Sequence, residues 1–549
     1  MLQKILLINP SFEDFYQTEI RQKPTGLKYI QASLEKAGFQ TFLLDCLSKN
    51  SKRTIPIPNN FKHLKEFYPA NDLSPFKLFT HYRRFGMSQQ EIGDLVRKFN
   101  PDLIGISINF TPYCETAIET AKLCKQIFPK VPIVAGGHHA TTVPESVLKS
   151  GFIDYVVLGE GEQRIVELTN LLFSDQLNQL KGIDGIAYKN GNKVIINPAK
   201  SFVQNLDEIT YPEIKNKMGM ILTSRGCPQN CNFCSVAGVM GKKVRFRSIE
   251  SVIEEMNQCI QNGVKKFDFE DDNLTINQNR AKILFKEIIT RFEKHNLRLS
   301  AMNGLMADSL DEELVQLMKN AGFEWLNIPL VSGSAEVQKK VNRYQSRQQF
   351  LKVVEWAQKH RLKVVVYIIL GLPEDTLNQM LDDIIFLAEL PVLIGPSIFY
   401  PPPGSKTFSN CVKNNLISGK DYSFYRSTAI PVETKNFSRK DLITLFRLVR
   451  LLNHLKSNPG LQKNGFAKDT TQKPTSLTLN YKLTQAEISS QLIDELFSNK
   501  KLRGLCLNKR VCKAYEYQWI DYSVSPNIVE DFLLQIKNIK IGGIETDET

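Results

Sequence analysis

Short apolar runs alternate with amphipathic stretches over the first 200 residues. "KILLINP" (Lys4–Pro10), "QTFLLDC" (Gln40–Cys46), "LIGISIN" (Leu103–Asn109), "PIVAGG" (Pro132–Gly137) and "DYVVLGEGE" (Asp154–Glu162) read as strands. Between the first two, "PTGLKYIQASLEKAGF" places Leu27, Ile30 and Leu34 on one helical face, with Pro24 at its start and Gly38 past its end. A further helix is predicted near 114–128, and a polar, aromatic-rich insert occupies about 48–86. Strands of this kind separated by helices predict a parallel, doubly wound sheet. Its ligands would sit beyond the carboxyl ends of the strands. A hairpin with Asn190-Gly191 at its turn (184–198) closes the unit, and 201–217 reads as a linker.

A second alternation runs over 218–411. "MILTSR", "KKFDFEDD", "RLSAMNG", "WLNIPLVSGS", "KVVVYIILGLP" and "VLIGPSIFYPPPG" are strand candidates. Amphipathic helices such as "SIESVIEEMNQCI" and "SLDEELVQLMKNAGF" separate them. Six β/α units predict a partial or complete barrel of the TIM type, with its chemistry at the C-terminal mouth. Residues 412–549 form a mixed third region: a helix over "SRKDLITLFRLVRLLNHL", a polar segment near 457–477, and the acidic tail "ETDET". This region is expected to cap the barrel mouth and shape a substrate pocket.

Composition narrows the class. The longest apolar run, "VVVYIILGL", falls well short of the roughly 20 residues of a membrane helix. The opening apolar stretch is too short for a signal peptide, so a soluble, cytoplasmic protein is expected. Ten cysteines spread over 549 residues do not make a disulfide scaffold. A net charge of +13 permits nucleic-acid binding, but the densest basic run, "NKKLRGLCLNKRVCK", carries no aromatic side chain. A solvated or phosphate-neutralising face is the better reading.

Three of the ten cysteines crowd into "RGCPQNCNFCSV", as Cys227, Cys231 and Cys234. Zinc usually takes four N or S ligands, and the next Cys or His is Cys259, inside a predicted helix. Three thiolates on an iron–sulfur cubane leave one iron open, where four would close it. A disulfide with one thiol left over is the third possibility. Cys-x3-Cys-x2-Cys with an aromatic before its last cysteine, directly after barrel strand one, resembles the signature of radical S-adenosylmethionine (SAM) enzymes.

The resemblance implies that Cys227, Cys231 and Cys234 hold a catalytic 4Fe–4S cluster, whose open iron chelates SAM. One electron then cleaves the sulfonium and yields a 5′-deoxyadenosyl radical. It also implies that Phe233 lies near the adenine and that Glu270, Asp271 and Asn273 of "FEDDNLT" meet the methionine ammonium. "LVSGSAEV" matches the ribose region; relatives often carry Glu where Val331 stands, so polar contact there falls to Ser332. "LGLPEDT" matches the strand-five stretch that packs on adenine, with Gly371 allowing close approach. "YPPPGS" resembles the segment that closes the barrel.

No G-x-G-x-x-G follows the first strand. Instead "PTGLKYIQASLEKAGF", "VAGGHHATTVPESVL" and "DYVVLGEGEQRIVEL" resemble the cobalamin-binding domain of cobalamin-dependent radical SAM enzymes. Cofactor contacts are then implied for Pro24, Thr25, Gly26, Asn109, Phe110, Gly136 and Gly137. Many corrinoid proteins supply a histidine to cobalt after an early strand. Here that stretch reads "LLDCLSKN", with Asp45 and no histidine, so cobalt without a protein imidazole is expected. His138 or His139 is read as a loop hydrogen-bonding residue. "GEGE" is read as a helix N-terminus with favourable acidic residues rather than a ligand contact.

The resemblance makes methyl transfer to an unactivated carbon the leading expectation. A ring-forming oxidation, as in the anaerobic magnesium-protoporphyrin ester cyclases, and a corrinoid- or cluster-based sensor without turnover are the alternatives. A small-molecule or biosynthetic-intermediate substrate and an electron donor such as flavodoxin or ferredoxin are the implied partners. Cys506 and Cys512 are too few to hold a second cluster alone.

Overall fold

A computed structural model describes residues 3–16, 23–48, 51–212, 218–458, 476–479, 482–511 and 514–544. Cys512, the "ETDET" tail and most of the 457–477 segment lie outside the described residues.

The first unit is a seven-stranded sheet. Strands β1 (Lys4–Asn9), β2 (Gln40–Asp45), β3 (Leu103–Ser107), β4 (Ile133–Gly136) and β5 (Tyr155–Val157) run parallel in the order 2-1-3-4-5. The hairpin β6 (Ile186–Asn190) and β7 (Lys193–Asn197) extends it antiparallel beyond β5. Alternation along the strands separates two buried faces. Leu6, Ile8, Ile104 and Ile106 pack with Ile92, Val96, Ala117 and Ala121 of helices Gln89–Phe99 and Cys114–Ile127. Ile5, Leu7, Leu103 and Val134 pack with Leu34, Ile165 and Leu168 of helices Thr25–Lys36 and Glu162–Phe173. Apolar residues of both registers are therefore needed, which is why these strands read as continuous runs. The strand order reverses between β1 and β3, and their carboxyl ends open a crevice there.

The second unit has six parallel strands in two ladders. One joins β8 (Met218–Ile221), β9 (Lys266–Phe269) and β10 (Arg298–Ser300); the other joins β11 (Trp325–Val331), β12 (Lys363–Leu370) and β13 (Leu393–Ile398). A parallel bridge from Leu299 to Phe323 and a bond from Leu305 N to Asn327 O connect them. This is the partial β/α barrel the sequence predicts. Each helix is entered through a polar cap, as at Ser248, Asp311, Ser346 and Thr376.

The insert at 48–86 belongs to the barrel's core. Phe61, Leu64, Phe67, Tyr68, Phe76 and Tyr82 are buried in the same core as the barrel. Strands Phe12–Asp14, Lys52–Thr54 and Arg83–Phe85 make a small antiparallel sheet at the insert's base. Its aromatics need that cover, because alone they would expose a large apolar area. The third region packs against the barrel, and Leu442 reaches the end of β12 at Gly371. Helix Arg439–Ser457 buries twelve of its nineteen residues, Thr444, Arg447 and Lys456 among them. It lies against β12 and β13 and between helices Leu377–Glu389 and Pro526–Ile536.

Candidate functional site

The cysteine loop leaves β8 through Ser224 and Arg225, which pair antiparallel with Phe246 and Arg245. Gly226 then turns at φ +93°, where a Cβ would lie 2.4 Å from Lys243 O. Three distant segments hold the loop. Cys227 N donates to Gly241 O (3.1 Å), Asn232 N to Val341 O (2.9 Å), and Thr407 N to Asn232 O (2.9 Å). Asn342 adds a bond from Nδ2 to Asn230 O at 2.9 Å. Cys231 is buried, Cys227 half-buried and Cys234 exposed, and the Arg343 guanidinium lies 3.9 Å from Cys231 Sγ. Burial pushes up the Cys227 thiol, and the Asp272 carboxylate adds to the rise. Three cysteines held in one loop are a soft sulfur donor set for a cationic centre. An iron–sulfur cluster fits that donor set; Cys259 is no fourth zinc ligand, being buried within helix Ile249–Gln261.

After β9 the carboxylates divide their work. Glu270 faces the cavity described below, and its Oε2 accepts from Asn303 Nδ2 at 3.2 Å. Asp271 turns the other way: it is buried and accepts from Thr223 N (3.1 Å), Thr223 Oγ1 (2.8 Å) and Ser224 Oγ (2.5 Å). It ties β9 to β8 and has no spare face for a ligand. Asp272, not singled out from the sequence, lines the cavity instead. Burial and the neighbouring Asp271 raise it to about 6, against the pull of Gly226 N–H and Arg225. Asn273 is buried with both amide atoms unpartnered.

At the end of β11, Val331 holds φ +68° at an irregularity in the ladder. A β-branched residue there is an outlier that costs about 1–3 kcal/mol. Asp383 fixes the turn by accepting from Ser332 Oγ (2.7 Å) and Gly333 N (2.9 Å). Ser332 thus spends its hydroxyl on the turn. Gly371 sits at φ +87°, and the atom that excludes a Cβ is Leu442 Cδ1 at 2.8 Å; its close approach is to the third region. Phe233 is half-buried against the barrel core.

One cavity of about 400 Å3 joins the crevice to the barrel mouth. Pro24, Thr25, Gly26, Asn109, Phe110, Gly136 and Gly137 all line it, as do Met220, Ser224, Arg225, Glu270 and Asp272 from the barrel. No described residue beyond 411 does so. Gly137 stands at φ +117°, with Ile108 O 2.8 Å from where a Cβ would be. Gly26 faces open space. Leu7, Ile106, Val134, Val157 and Ile165 give the crevice an apolar floor, and Asn9, Lys23, Ser107 and Asn109 give it polar edges. A large group with polar amide edges and an apolar tail, such as cobalamin, fits this lining. Of the two imidazoles beside the crevice, His138 lines the cavity. His138 Nε2 bonds Ser235 Oγ at 2.7 Å, while His139 is buried against Thr111 and Tyr422. Asp45 accepts from Asn9 Nδ2 at 2.9 Å.

Behind the cavity, charges lock the two units together. Glu160 accepts from Val203 N (2.8 Å), Arg225 Nη1 (3.1 Å) and Arg245 Nη1 (2.7 Å). Glu162 accepts from Arg225 Nη2 at 2.6 Å. Burial alone would raise Glu162, yet Arg225 holds it below the usual carboxylate range. Glu162 opens helix Glu162–Phe173, and with Glu160 it also forms a buried inter-domain clamp; both carboxylates line the cavity. Arg225 also lies over the ring of Tyr29, 5.6 Å from its centroid.

Residues 221–387 match the radical SAM superfamily and residues 80–169 the B12-binding domain. An uncharacterised methyltransferase, PH0819, of Pyrococcus horikoshii is 30% identical over 380 residues, which cover 67% of this chain and 81% of the relative. Cytidylyl-2-hydroxyethylphosphonate methyltransferase of Streptomyces wedmorensis is 26% identical over 481 residues, covering 78% and 84%. The fold is similar to that of the radical SAM methyltransferase TsrM from Kitasatospora setae, solved with cobalamin and a 4Fe–4S cluster bound. That match has a TM-score of 0.58 at 18% identity and covers 75% of this chain and 76% of the other.

Proposed function

Because the chain belongs to the radical SAM enzymes that carry a B12-binding domain, we propose that it transfers a methyl group to an unactivated carbon of a small-molecule or biosynthetic-intermediate substrate. The chemistry supplied by the bound groups is reductive cleavage of SAM at a 4Fe–4S cluster and methyl carriage by cobalamin.

Cys227, Cys231 and Cys234 would hold the cluster, and Glu270 and Asp272 would present carboxylates to the methionine ammonium. The Pro24–Gly26 turn, Asn109, Phe110, Gly136 and Gly137 would seat the corrinoid. The observation that carries the reading is one cavity lined by the strand ends of the first unit and by the ends of β8 and β9. Such a cavity lets corrinoid and SAM face one substrate with water excluded. A one-electron donor such as a flavodoxin or ferredoxin completes the cycle. Methyl transfer is favoured over ring-forming oxidation because relatives matched over most of this chain are methyltransferases by name.

Anaerobic reconstitution with iron, sulfide and hydroxocobalamin, followed by SAM and dithionite, tests the proposal. S-adenosylhomocysteine together with a methylated product is the expected result. 5′-Deoxyadenosine without methyl transfer would support the oxidative alternative, and intact SAM would leave a sensor. In the same preparation, alanine at Cys227, Cys231 and Cys234 should abolish iron and leave cobalamin uptake intact.

A further inference from the structure

The outer skin of the cysteine loop is exposed at Pro228 and Asn230. The segments that hydrogen-bond to the loop are unusual in charge. Residues 226–243 contain no acidic residue, 399–414 contain none, and 335–347 contain one, Glu336, against eight lysines and arginines in the three together. Glu336 is itself neutralised by Lys340, at 2.6 Å. Lys242, Lys243, Lys339 and Lys406 are exposed and, among the described residues, form no ion pair. They stand on all three supports of one loop. A fold gains nothing by gathering unpaired like charges there, since they repel one another.

Tyr344, beside them, is 60% exposed. It directly follows Arg343, whose guanidinium reaches Cys231 Sγ at 3.9 Å. An exposed tyrosine next to an arginine is the composition of a protein–protein anchor.

We propose that this lysine rim around Tyr344 is the docking surface for a small acidic one-electron carrier protein. The inference rests on the cluster assignment above and adds where its electron arrives. One electron leaves the carrier's reduced flavin or iron–sulfur centre and reduces the oxidised cluster by one; no proton or group moves with it. Complementary charge steers such an encounter and makes it sensitive to salt.

The test uses the full, anaerobically reconstituted chain and a variant with Lys242→Glu, Lys243→Glu, Lys339→Glu and Lys406→Glu. Reduced acidic flavodoxin is the probe. Binding is followed by titration calorimetry and cluster reduction by the electron-spin signal. The variant should bind flavodoxin at least roughly tenfold more weakly at low ionic strength, with the reduction rate falling in step. Its iron content and its reduction by dithionite should match the parent. Unchanged flavodoxin affinity in a variant that dithionite still reduces would overturn the docking surface alone. Equal, equally salt-sensitive binding of the parent to transfer RNA or to anionic vesicles would overturn it too. A parent chain with no reducible cluster would overturn both this inference and the assignment beneath it.

Discussion

Converting Glu160 to glutamine removes one negative charge from the clamp between the two units and keeps its shape. The carboxylate has four close contacts: Val203 N at 2.8 Å, Arg225 Nη1 at 3.1 Å, and Arg245 Nη1 at 2.9 and 2.7 Å from its two oxygens. The Glu160, Arg225 and Arg245 side chains are 1%, 9% and 4% exposed, so water cannot replace what is lost. Removing one partner of a buried pair costs about 3–5 kcal/mol. Glu162 still engages Arg225, which places the loss near the lower end, at about 3 kcal/mol. At about 1.4 kcal/mol per factor of ten, local opening of the clamp becomes roughly 100-fold more frequent. Hydrogen exchange reads this directly, because the Val203 amide donates to the carboxylate being changed. Peptides over 200–206 and 222–228 should lose protection by about that factor, while those of β1 and β3 do not. Adding Arg245→Met should cost less than the two single changes together, with a coupling of about 1–3 kcal/mol. Unchanged protection in Glu160→Gln, or strictly additive costs, would refute the clamp.

Gly137→Ala should cut hydroxocobalamin uptake sharply while iron content stays normal, because the new methyl meets backbone at Ile108 and Asn109. Gly182→Ala, which meets nothing within 4 Å, is the control, and equal uptake by the two refutes the crevice assignment. His139 supplies a pH test. Burial lowers it from 6.5 to about 3, so between those values the unfolded chain binds the extra proton. Its contribution is complete above about pH 6.5 and is lost as pH falls. Going from about pH 7 to about pH 5.5 should cost about 1 kcal/mol. Urea midpoints for His139→Asn should lack that increment; an identical acid loss in both proteins would contradict the assignment.

Short-range patterns were legible in the chain, and pairings across it were not. Alternation over Lys4–Asn9 or Leu103–Ser107 follows from strands covered on both faces, so composition betrays them. The spacing of Cys227, Cys231 and Cys234 carries its chemistry within one loop. Glu160 and Arg225 are 65 residues apart, and neither neighbourhood announces the other. A charged residue at the end of an apolar strand was the available signal. Asp271 and Asp272 are neighbours in the loop just beyond β9, and only the fold sends one carboxylate behind β8 and the other into the cavity. The partner of the 48–86 aromatics was not legible because the surface that buries them lies hundreds of residues later, as when Tyr68 Oη meets Thr428 O.

The supports of the cysteine loop come from residues near 241, 341 and 407, which sets a timetable for maturation. A nascent polypeptide exposes its three sulfurs long before the last prop, Thr407, has left the ribosome. Metal delivered early would meet a floppy hairpin able to accept any thiophilic ion, so faithful loading belongs after translation has passed that point.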